Sequence, residues 1–478
     1  LKMNWEQLTG RRIHIIGVKG SGCAALAEIL HSQGAILSGS DNPPNFYTSA
    51  ILDALGFPIY HTFAEEHITP ELDVVIYSAA YETGNIELDY ARQIGILTFS
   101  YPQALGELSK SRFSIAVAGV HGKTTTTALL GSIVKDQGWL ATTLVGSRVA
   151  NFGNTSTSIT GNDIFIAETC EYREHFLEFF PNMILLTSVE WDHQDFYSEI
   201  DMIEQAFVRF IQKLPANGTL LYNADCAGVQ RVIAKIRDSH QDIHLYSIGR
   251  QEHVDFQISE EVILNEYNTF RLTGLHSPVP LPMIGQHNVM NAAMAITMAS
   301  LLAKEHKLQW SEDDAILTIS RFLGLARRLE RIGLHPTRDI LILDDYAHHP
   351  SAIKTTLLGL KEFYPHRRLI VSFMSHTYSR TASLFTEFVD SLLFADVLIL
   401  HKIYGSAREQ ANDTMTGYDL YEAVRKKKLD MVFYQENPIE SLPLIKSLVQ
   451  DGDIILTMGA GDNFLLSHTL REELWTDV

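Results

Sequence analysis

The chain is poor in cysteine: Cys23, Cys170 and Cys226 are the three it has in 478 residues. They form no CxxC pair and no metal-ligand spacing, which argues against a disulfide framework and a cysteine-ligated zinc site and for a reducing compartment. No apolar run reaches the roughly 18–20 residues that a spanning helix needs. The first residues carry no signal-peptide h-region, so the expected location is the cytoplasm. Positive charge is also scarce. A formal net charge of −19 argues against non-specific binding to nucleic acid or to anionic membranes, though a local basic pocket for an anionic substrate remains open. Internal repeats, low-complexity segments and an N-K-x-D guanine motif are all missing; the last disfavours a switch GTPase.

What the chain does have fits ordinary globular domains. It is 46% hydrophobic and 20% charged, and its length suits about three domains at roughly 100–200 residues each. Short β-rich apolar runs alternate with longer helical patterns, the signature of βαβ units around mostly parallel sheets. Predicted strands are Arg12–Gly17, Ala35–Ser38, Val74–Tyr77, Ile115–Val117, Ile164–Ala167, Ile184–Thr187, Ile340–Leu343, Leu369–Phe373, Val397–Leu400 and Ile454–Leu456. Helices are expected over Ala24–Ser32, Thr126–Val134 and Val289–Leu302. Residues 252–283 alternate differently and suggest an antiparallel appendage to the central unit. A first unit ends near Ser109-Lys110-Ser111, and a third begins near Leu323-Gly324. The expected division is therefore 1–110, 111–322 and 323–478.

Two glycine-rich loops each follow a strand and precede a helix. The first is Gly17-Val18-Lys19-Gly20-Ser21-Gly22, with Asp41 at the end of the second strand, where a Rossmann acidic residue would meet a ribose hydroxyl. Its spacing is G-x-x-G-x-G and not the dinucleotide G-x-G-x-x-G, so it reads either as a bare strand–helix turn or as a site for a diphosphate-containing nucleotide that need not be NAD. The second is Gly119-Val120-His121-Gly122-Lys123-Thr124-Thr125. Its backbone N–H groups can cradle phosphate oxygens, Lys123 can neutralise β/γ charge, and the Thr124 hydroxyl can ligate Mg²⁺. Val117 stands where a strict Walker A motif needs glycine, which makes this a shortened phosphate loop.

Polar residues gather where open α/β sheets place ligands, at strand C-termini. Glu168-Thr169-Cys170-Glu171-Tyr172 ends one strand, and Ser188-Val189-Glu190-Trp191-Asp192-His193 follows another. Glu168 and His193 can hold a second Mg²⁺ beside the transferring phosphoryl group. His287-Asn288 and Asn291 open a helix, with capping as the plain alternative for Asn288. Arg327-Arg328 sits at the last junction, where an arginine can reach phosphates when a domain closes. Asp344-Asp345-Tyr346-Ala347-His348-His349-Pro350 and Ser375-His376-Thr377-Tyr378-Ser379-Arg380-Thr381 each follow a strand of the third unit and suggest a substrate site there. His61 and His67 read as surface residues.

Taken in order along the chain, these segments resemble the Mur ligases of peptidoglycan synthesis, and the resemblance covers nearly the whole sequence. Four stretches bring it nearest to the members that act on L-alanine: Gly17–Gly22 with Ser38-Gly39-Ser40-Asp41, Cys170–Leu177, His376–Thr381, and Gly405-Ser406-Ala407-Arg408-Glu409 with Met458–Asp462. The resemblance implies an α/β protein of three domains. The first is Rossmann-like and binds the UDP-sugar, the second is a phosphate-loop ATPase, and the third is Rossmann-like and binds the amino acid. It implies that ATP phosphorylates the carboxylate of UDP-N-acetylmuramate and that the amine of L-alanine then attacks the acyl phosphate. A ligase that adds a preformed peptide to the same sugar nucleotide is the alternative. An NAD-linked dehydrogenase would leave residues 119–124 without a role, and an ATP-regulated binding module would not need Glu168, His193 and the third-unit loops together.

By position, the resemblance gives Gly119, His121, Gly122, Lys123, Thr124 and Thr125 to the ATP phosphates, with Mg²⁺ on Thr124, Glu168 and His193. His287 and Asn291 would contact adenine, and Arg327 or Arg328 the phosphates. Gly17, Gly20, Ser21, Gly22, Asp41 and Ser78 would serve the sugar nucleotide. Tyr346, His348 and His376 would shape the amino-acid pocket, and Arg380 would face ATP or the acyl phosphate. Val120 replaces a more usual threonine, Thr377 stands where many relatives carry arginine, and no lysine lies between 194 and 212, so no carbamylated lysine is expected. Oligomeric state, monomer or homodimer, is left open.

Overall fold

The computed structural model describes residues 3–42, 48–193, 196–238, 242–264, 266–405, 415–427 and 431–475. Gly405 is described, but residues 406–409 of its motif lie outside these ranges. Three sheets organise the chain. The first is all parallel, in the order Ile59–Tyr60, Ile36–Ser40, Arg12–Ile16, Val74–Tyr77, Leu97–Ser100. Successive strands leave Arg12–Ile16 in opposite directions across the sheet, so the crevice beyond its C-terminus is a topological switch point. The loop Gly17–Gly22 sits there.

The second sheet has ten strands. Its centre is Met183–Leu186, Phe113–Ala118 and Ile164–Glu168, side by side and parallel. Residues 252–283 form the expected antiparallel strands, Phe256–Leu264, Tyr267–Leu272 and Val279–Leu281. They extend the central sheet, because Ile248 pairs in parallel with Phe256 and the sheet runs on unbroken. The third sheet is parallel except for its edge strand Glu330–Leu334, and Ile454–Gly459 lies between Leu341–Asp345 and Leu369–Met374. Each of these central strands is buried nearly end to end, which is why they read as continuous apolar runs and not as alternating ones.

The helix after the phosphate loop, Lys123–Asp136, has four threonines directly after Lys123, residues of modest helix propensity. Packing compensates: Ala128, Leu129, Leu130, Ile133 and Val134 are buried, and Gly131 lets the helix approach so closely that a Cβ there would lie 2.6 Å from Thr143 Cγ2. The predicted helix 289–302 extends over Gln286–His306. It starts at Gln286 because Gly285, at φ 92°, turns the chain sharply before it. Among the described residues no helix is long and apolar enough to cross a membrane.

One contact between the first and second sheets carries a charge. Glu28, on helix Ser21–Ser32, is buried and accepts the Ser156 N–H at 3.0 Å. Burial raises its pKa to about 7, against the lowering effect of its bonds to Ser156 and Thr157. A carboxyl raised in the folded state stabilises fully below its unfolded pKa and loses that contribution as pH rises through about 7. Glu28→Gln is therefore expected to raise Tm by a few degrees at about pH 8, with the gain shrinking toward about pH 5. Thermal melts across that range check it.

His67 departs from the surface reading. Its Nδ1 lies 2.6 Å from the buried Glu87, and its ring stacks on Tyr60 at 3.8 Å. Glu87 also meets buried His14 and Ser40. His61 is exposed, as expected.

Candidate active site

The strand Phe113–Ala118 ends at Gly119, whose φ of 136° is open to glycine; a Cβ there would lie 2.2 Å from Thr187 Oγ1. Gly122, at φ 83°, is the N-cap of helix Lys123–Asp136 and brings no side-chain cap. The first N–H groups of that helix therefore face outward with the positive end of its dipole, an anion site made of backbone. Ser188 braces the loop, accepting the His121 N–H on its hydroxyl (2.8 Å) and the Val120 N–H on its carbonyl (3.1 Å). Asn291 packs against the Gly122 turn, where a Cβ would lie 2.7 Å from its Oδ1.

Lys123 Nζ reaches Glu171 Oε2 at 2.7 Å and the carbonyls of Gly119 and Val120. Burial is the largest influence and opposes the ammonium, but the charge and hydrogen bond of Glu171, with Cys170 and Glu168, together outweigh it and hold the lysine pKa above its ordinary value. Glu171 is 2% exposed. Its other oxygen lies 3.2 Å from His193 Nε2. Burial pushes its carboxyl up, but Lys123 and His193 win, and its pKa lies below the usual glutamate value. The residue that links Lys123 to His193 is thus Glu171, a role the sequence reading did not assign. Its position in the polar run after Ile164–Glu168 was the available signal.

Glu168 sits on the other side of the loop. It bonds the Thr124 hydroxyl, and burial is the main cause of its raised pKa. Its Oε2 is buried with no hydrogen-bond partner. Gly146 makes room for it, since a Cβ at 146 would lie 1.8 Å from Glu168 Oε1. Gly146→Ala should displace this carboxylate and cut turnover about tenfold or more while leaving the melting curve nearly unchanged; steady-state kinetics beside a thermal melt check it.

A cavity of ≈ 990 Å³ opens over the phosphate loop and is bordered by Arg250, His287, Asn291 and Arg328. His287 is kept neutral. Burial lowers its pKa to about 4, with help from the charges of His121 and Arg328, and its buried Nδ1 has no partner. The two adjacent arginines diverge. Arg328 lines this cavity, whereas Arg327 does not reach it. Arg327 is consumed inside the third unit, donating to Asp344 Oδ2 (3.1 Å) and Gly459 O (2.7 Å) between the rings of Tyr346 and Phe464. Its left-handed backbone (φ 59°) is the local reason that neighbours point apart.

A second cavity, ≈ 730 Å³, is bordered by Gly20, Ser21, Gly22 and Ser78 on one side and by His376, Thr377 and Arg380 on the other. Helix Ser21–Ser32 begins there without a side-chain cap. Gly17 lies behind this surface, where a Cβ would lie 2.7 Å from the Tyr81 ring. Asp41 does not border this cavity. Its carboxylate is buried and accepts from the Lys19 and Asn42 N–H groups (both 2.8 Å) and the Tyr81 hydroxyl (3.0 Å). It fixes the glycine loop instead, a structural use that a Rossmann analogy does not foresee.

The third unit closes the site. Arg380 donates through Nε (3.2 Å) and Nη2 (2.8 Å) to Asp192 Oδ1, both residues buried, and its Nη1 lies 3.1 Å from His376 Nδ1. Burial opposes the Asp192 charge, but Arg380 and then His193 hold its pKa well below the carboxylate range. The ring of His348 lies 4.9 Å from Tyr346 and 5.4 Å from His376. Thr377 has φ 65°, an uncommon backbone for a β-branched residue, and caps the turn that presents Arg380. The two cavities meet: Lys123, Cys170 and His193 border both.

Family models match along the chain: "Mur ligase family, catalytic domain" over 12–113, "Mur ligase middle domain" over 117–299 and "Mur ligase, glutamate ligase domain" over 327–461. The chain belongs to the Mur ligase family, ATP-dependent enzymes that form amide bonds. It is 44% identical to the UDP-N-acetylmuramate–L-alanine ligase of Treponema pallidum, covering 97% of each chain. It is 38% identical to the ligase of the same name from Borrelia garinii, over 98% of this chain and 100% of that one. Among solved structures, the UDP-N-acetylmuramate-alanine ligase of Thermotoga maritima shares the fold at a TM-score of 0.81 and 22% identity, over 98% of this chain and all of that one. A murein peptide ligase from Psychrobacter arcticus gives 0.71 at 25% identity, over 98% and 100%.

Proposed function

We propose that this enzyme joins L-alanine to the carboxylate of UDP-N-acetylmuramate, converting ATP to ADP and phosphate. The observation that carries the reading is the meeting of the two cavities at Lys123 and His193. A nucleotide seated over the phosphate loop directs its γ-phosphate to that junction. A sugar nucleotide with its diphosphate at the uncapped helix after Gly20 directs its carboxylate to the same place. A carboxylate is a poor electrophile at neutral pH, and phosphorylation gives it a leaving group.

In the first step a carboxylate oxygen attacks the γ-phosphorus, the bond to the β-phosphate oxygen breaks, and ADP leaves. Lys123 balances the charge on the moving phosphoryl oxygens, as positioning plus electrostatics suffices for this transfer. In the second step the alanine nitrogen attacks the acyl carbon, the carbon–oxygen bond to phosphate breaks, and the nitrogen loses a proton. His348, whose pKa burial holds well below the ordinary histidine value, stays neutral beside the amine and is a poor acceptor, so the proton passes to solvent. Tyr346 and His376 border it on the amino-acid side, and Arg380 faces the acyl phosphate.

The donors at the junction fit Mg²⁺. Glu168 brings an unpartnered buried oxygen, and Thr124 a hydroxyl beside it. With Nε2 of His193 held by Glu171, Nδ1 is the nitrogen left for an ion, in the way that outer carboxylates orient metal-binding histidines. Thr124, Glu168 and His193 would hold Mg²⁺, which would supply positive charge to the phosphoryl oxygens. We assign the functional units to 1–110, 111–322 and 323–478, in keeping with sheets confined to 12–100, 113–281 and 330–459, and place the enzyme in the cytoplasm, where its nucleotide substrates are.

The similarity to a murein peptide ligase gives a second acceptor to test. Phosphate release is measured with UDP-N-acetylmuramate plus either L-alanine or a preformed peptide. Release with L-alanine alone is expected. Release with the peptide alone selects the second acceptor, and no substrate-dependent release sinks both.

A further inference from the structure

His121, on the wall of the nucleotide cavity, has a set of neighbours to which the reaction steps above give no role. Its Nε2 lies 3.6 Å from Glu190 Oε2 and 3.3 Å from Ser351 Oγ, and its ring centre is 5.3 Å from that of His349. Ser351 donates its hydroxyl to Glu190 at 2.9 Å and lies 2.8 Å from His349 Nδ1. His121, Glu190 and His349 each offer one ligand atom, and these three atoms lie within 4.8 Å of one another. They come from separate places: the phosphate loop, the segment after Met183–Leu186, and the N-cap of helix Pro350–Phe363.

Two imidazoles and one carboxylate are a zinc donor set, with a fourth position left for water. Tetrahedral bonds of about 2.0–2.2 Å put neighbouring donors roughly 3.3–3.6 Å apart, so the observed cluster needs only a small contraction. Two imidazoles against one carboxylate suit Mg²⁺ poorly, since most of its octahedral positions go to oxygen. His349 is 7% exposed, and its Nε2 is buried without a partner. His121 and Glu190 are partly open, with side chains 30% and 38% exposed, which gives an ion a way in. Ser351 Oγ bridges all three residues in the ion-free chain, and it turns aside to an outer hydrogen bond when the ion enters.

We infer that His121, Glu190 and His349 form a Zn²⁺ site that ties the phosphate loop to the third unit. It is distinct from the Mg²⁺ donors at Thr124, Glu168 and His193, and it does not depend on which acceptor the enzyme uses. The test is Zn²⁺ binding to the full chain without nucleotide, by equilibrium dialysis against His121→Gln, Glu190→Gln and His349→Gln, with melting curves recorded beside it. One Zn²⁺ per wild-type chain is expected, bound at least about tenfold more tightly than by any of the three variants, and Zn²⁺ should raise the wild-type Tm and not theirs. If one variant does not fold, the other two carry the comparison. Equal affinity in the wild type and a folded variant overturns the site, as does a wild type that binds no Zn²⁺ saturably.

Discussion

Lys123→Ala should lower kcat by about 10³-fold or more, with the circular dichroism spectrum unchanged. Removing one well-placed group that stabilises developing charge costs about 10²–10³ in rate, and Lys123 does more than one such job. It is the cation of the phosphate loop and it borders both cavities. Its pKa lies above the ordinary lysine value, because Glu171, Cys170 and Glu168 together outweigh the opposing effect of burial, so it stays charged at any assay pH near neutrality. The fold should survive because His193 remains as a partner for Glu171. Lys123→Arg is a sharper companion, since it keeps the charge but not the compact reach that a point-charge ammonium gives. Steady-state kinetics decide the matter, and wild-type turnover in Lys123→Ala would refute the assignment.

Arg380→Ala should be nearly as damaging, with kcat down about 10²–10³-fold. This arginine holds the third unit against Asp192 of the second through two donors on one oxygen. Its loss leaves a buried carboxylate without its main cation, and breaking a buried pair in this one-sided way costs about 3–5 kcal/mol. A lower Tm should accompany the kinetic loss. The pH dependence has a definite sign. Asp192 is held well below the carboxylate range, so the stabilisation it provides is present above its unfolded pKa and is lost only as pH falls through the lowered value. A decline in wild-type activity between about pH 6 and pH 5 therefore has another source. Asp192→Asn should reproduce most of the Arg380→Ala defect at neutral pH. Melting curves and kcat measured on both variants check this, and wild-type values for both would contradict the assignment.

Strands and their polar ends were legible in the sequence for a physical reason. Parallel strands buried on both faces are short apolar runs, and the residues that follow them stand at the sheet's ligand edge. That logic located the phosphate loop, Glu168, Asp192-His193 and the two third-unit loops. It could not show how side chains pair once the chain turns. Glu168 and Glu171 are three residues apart, yet one meets Thr124 and the other Lys123. Left-handed backbone at Arg173 and Glu174 reshapes the segment that follows Glu171, and no motif announces it. Arg327 and Arg328 look equivalent as letters, and a single left-handed residue sends one into the third unit's interior and the other to the nucleotide cavity. Asp41, read from its place at a strand end, and His67, read as a surface residue, each owe their packing to burial beside specific partners, Tyr81 for one and Glu87 for the other.

The claim at the centre of this account is that the sugar-linked carboxylate is phosphorylated at the junction of the two cavities before the amine attacks. UDP-N-acetylmuramate labelled with ¹⁸O in its carboxylate, turned over with ATP and L-alanine, tests it directly by mass spectrometry of the released phosphate. The account predicts one ¹⁸O in each phosphate, carried from the carboxylate when the acyl carbon–oxygen bond breaks. Phosphate released in step with amide formation but free of label would contradict it.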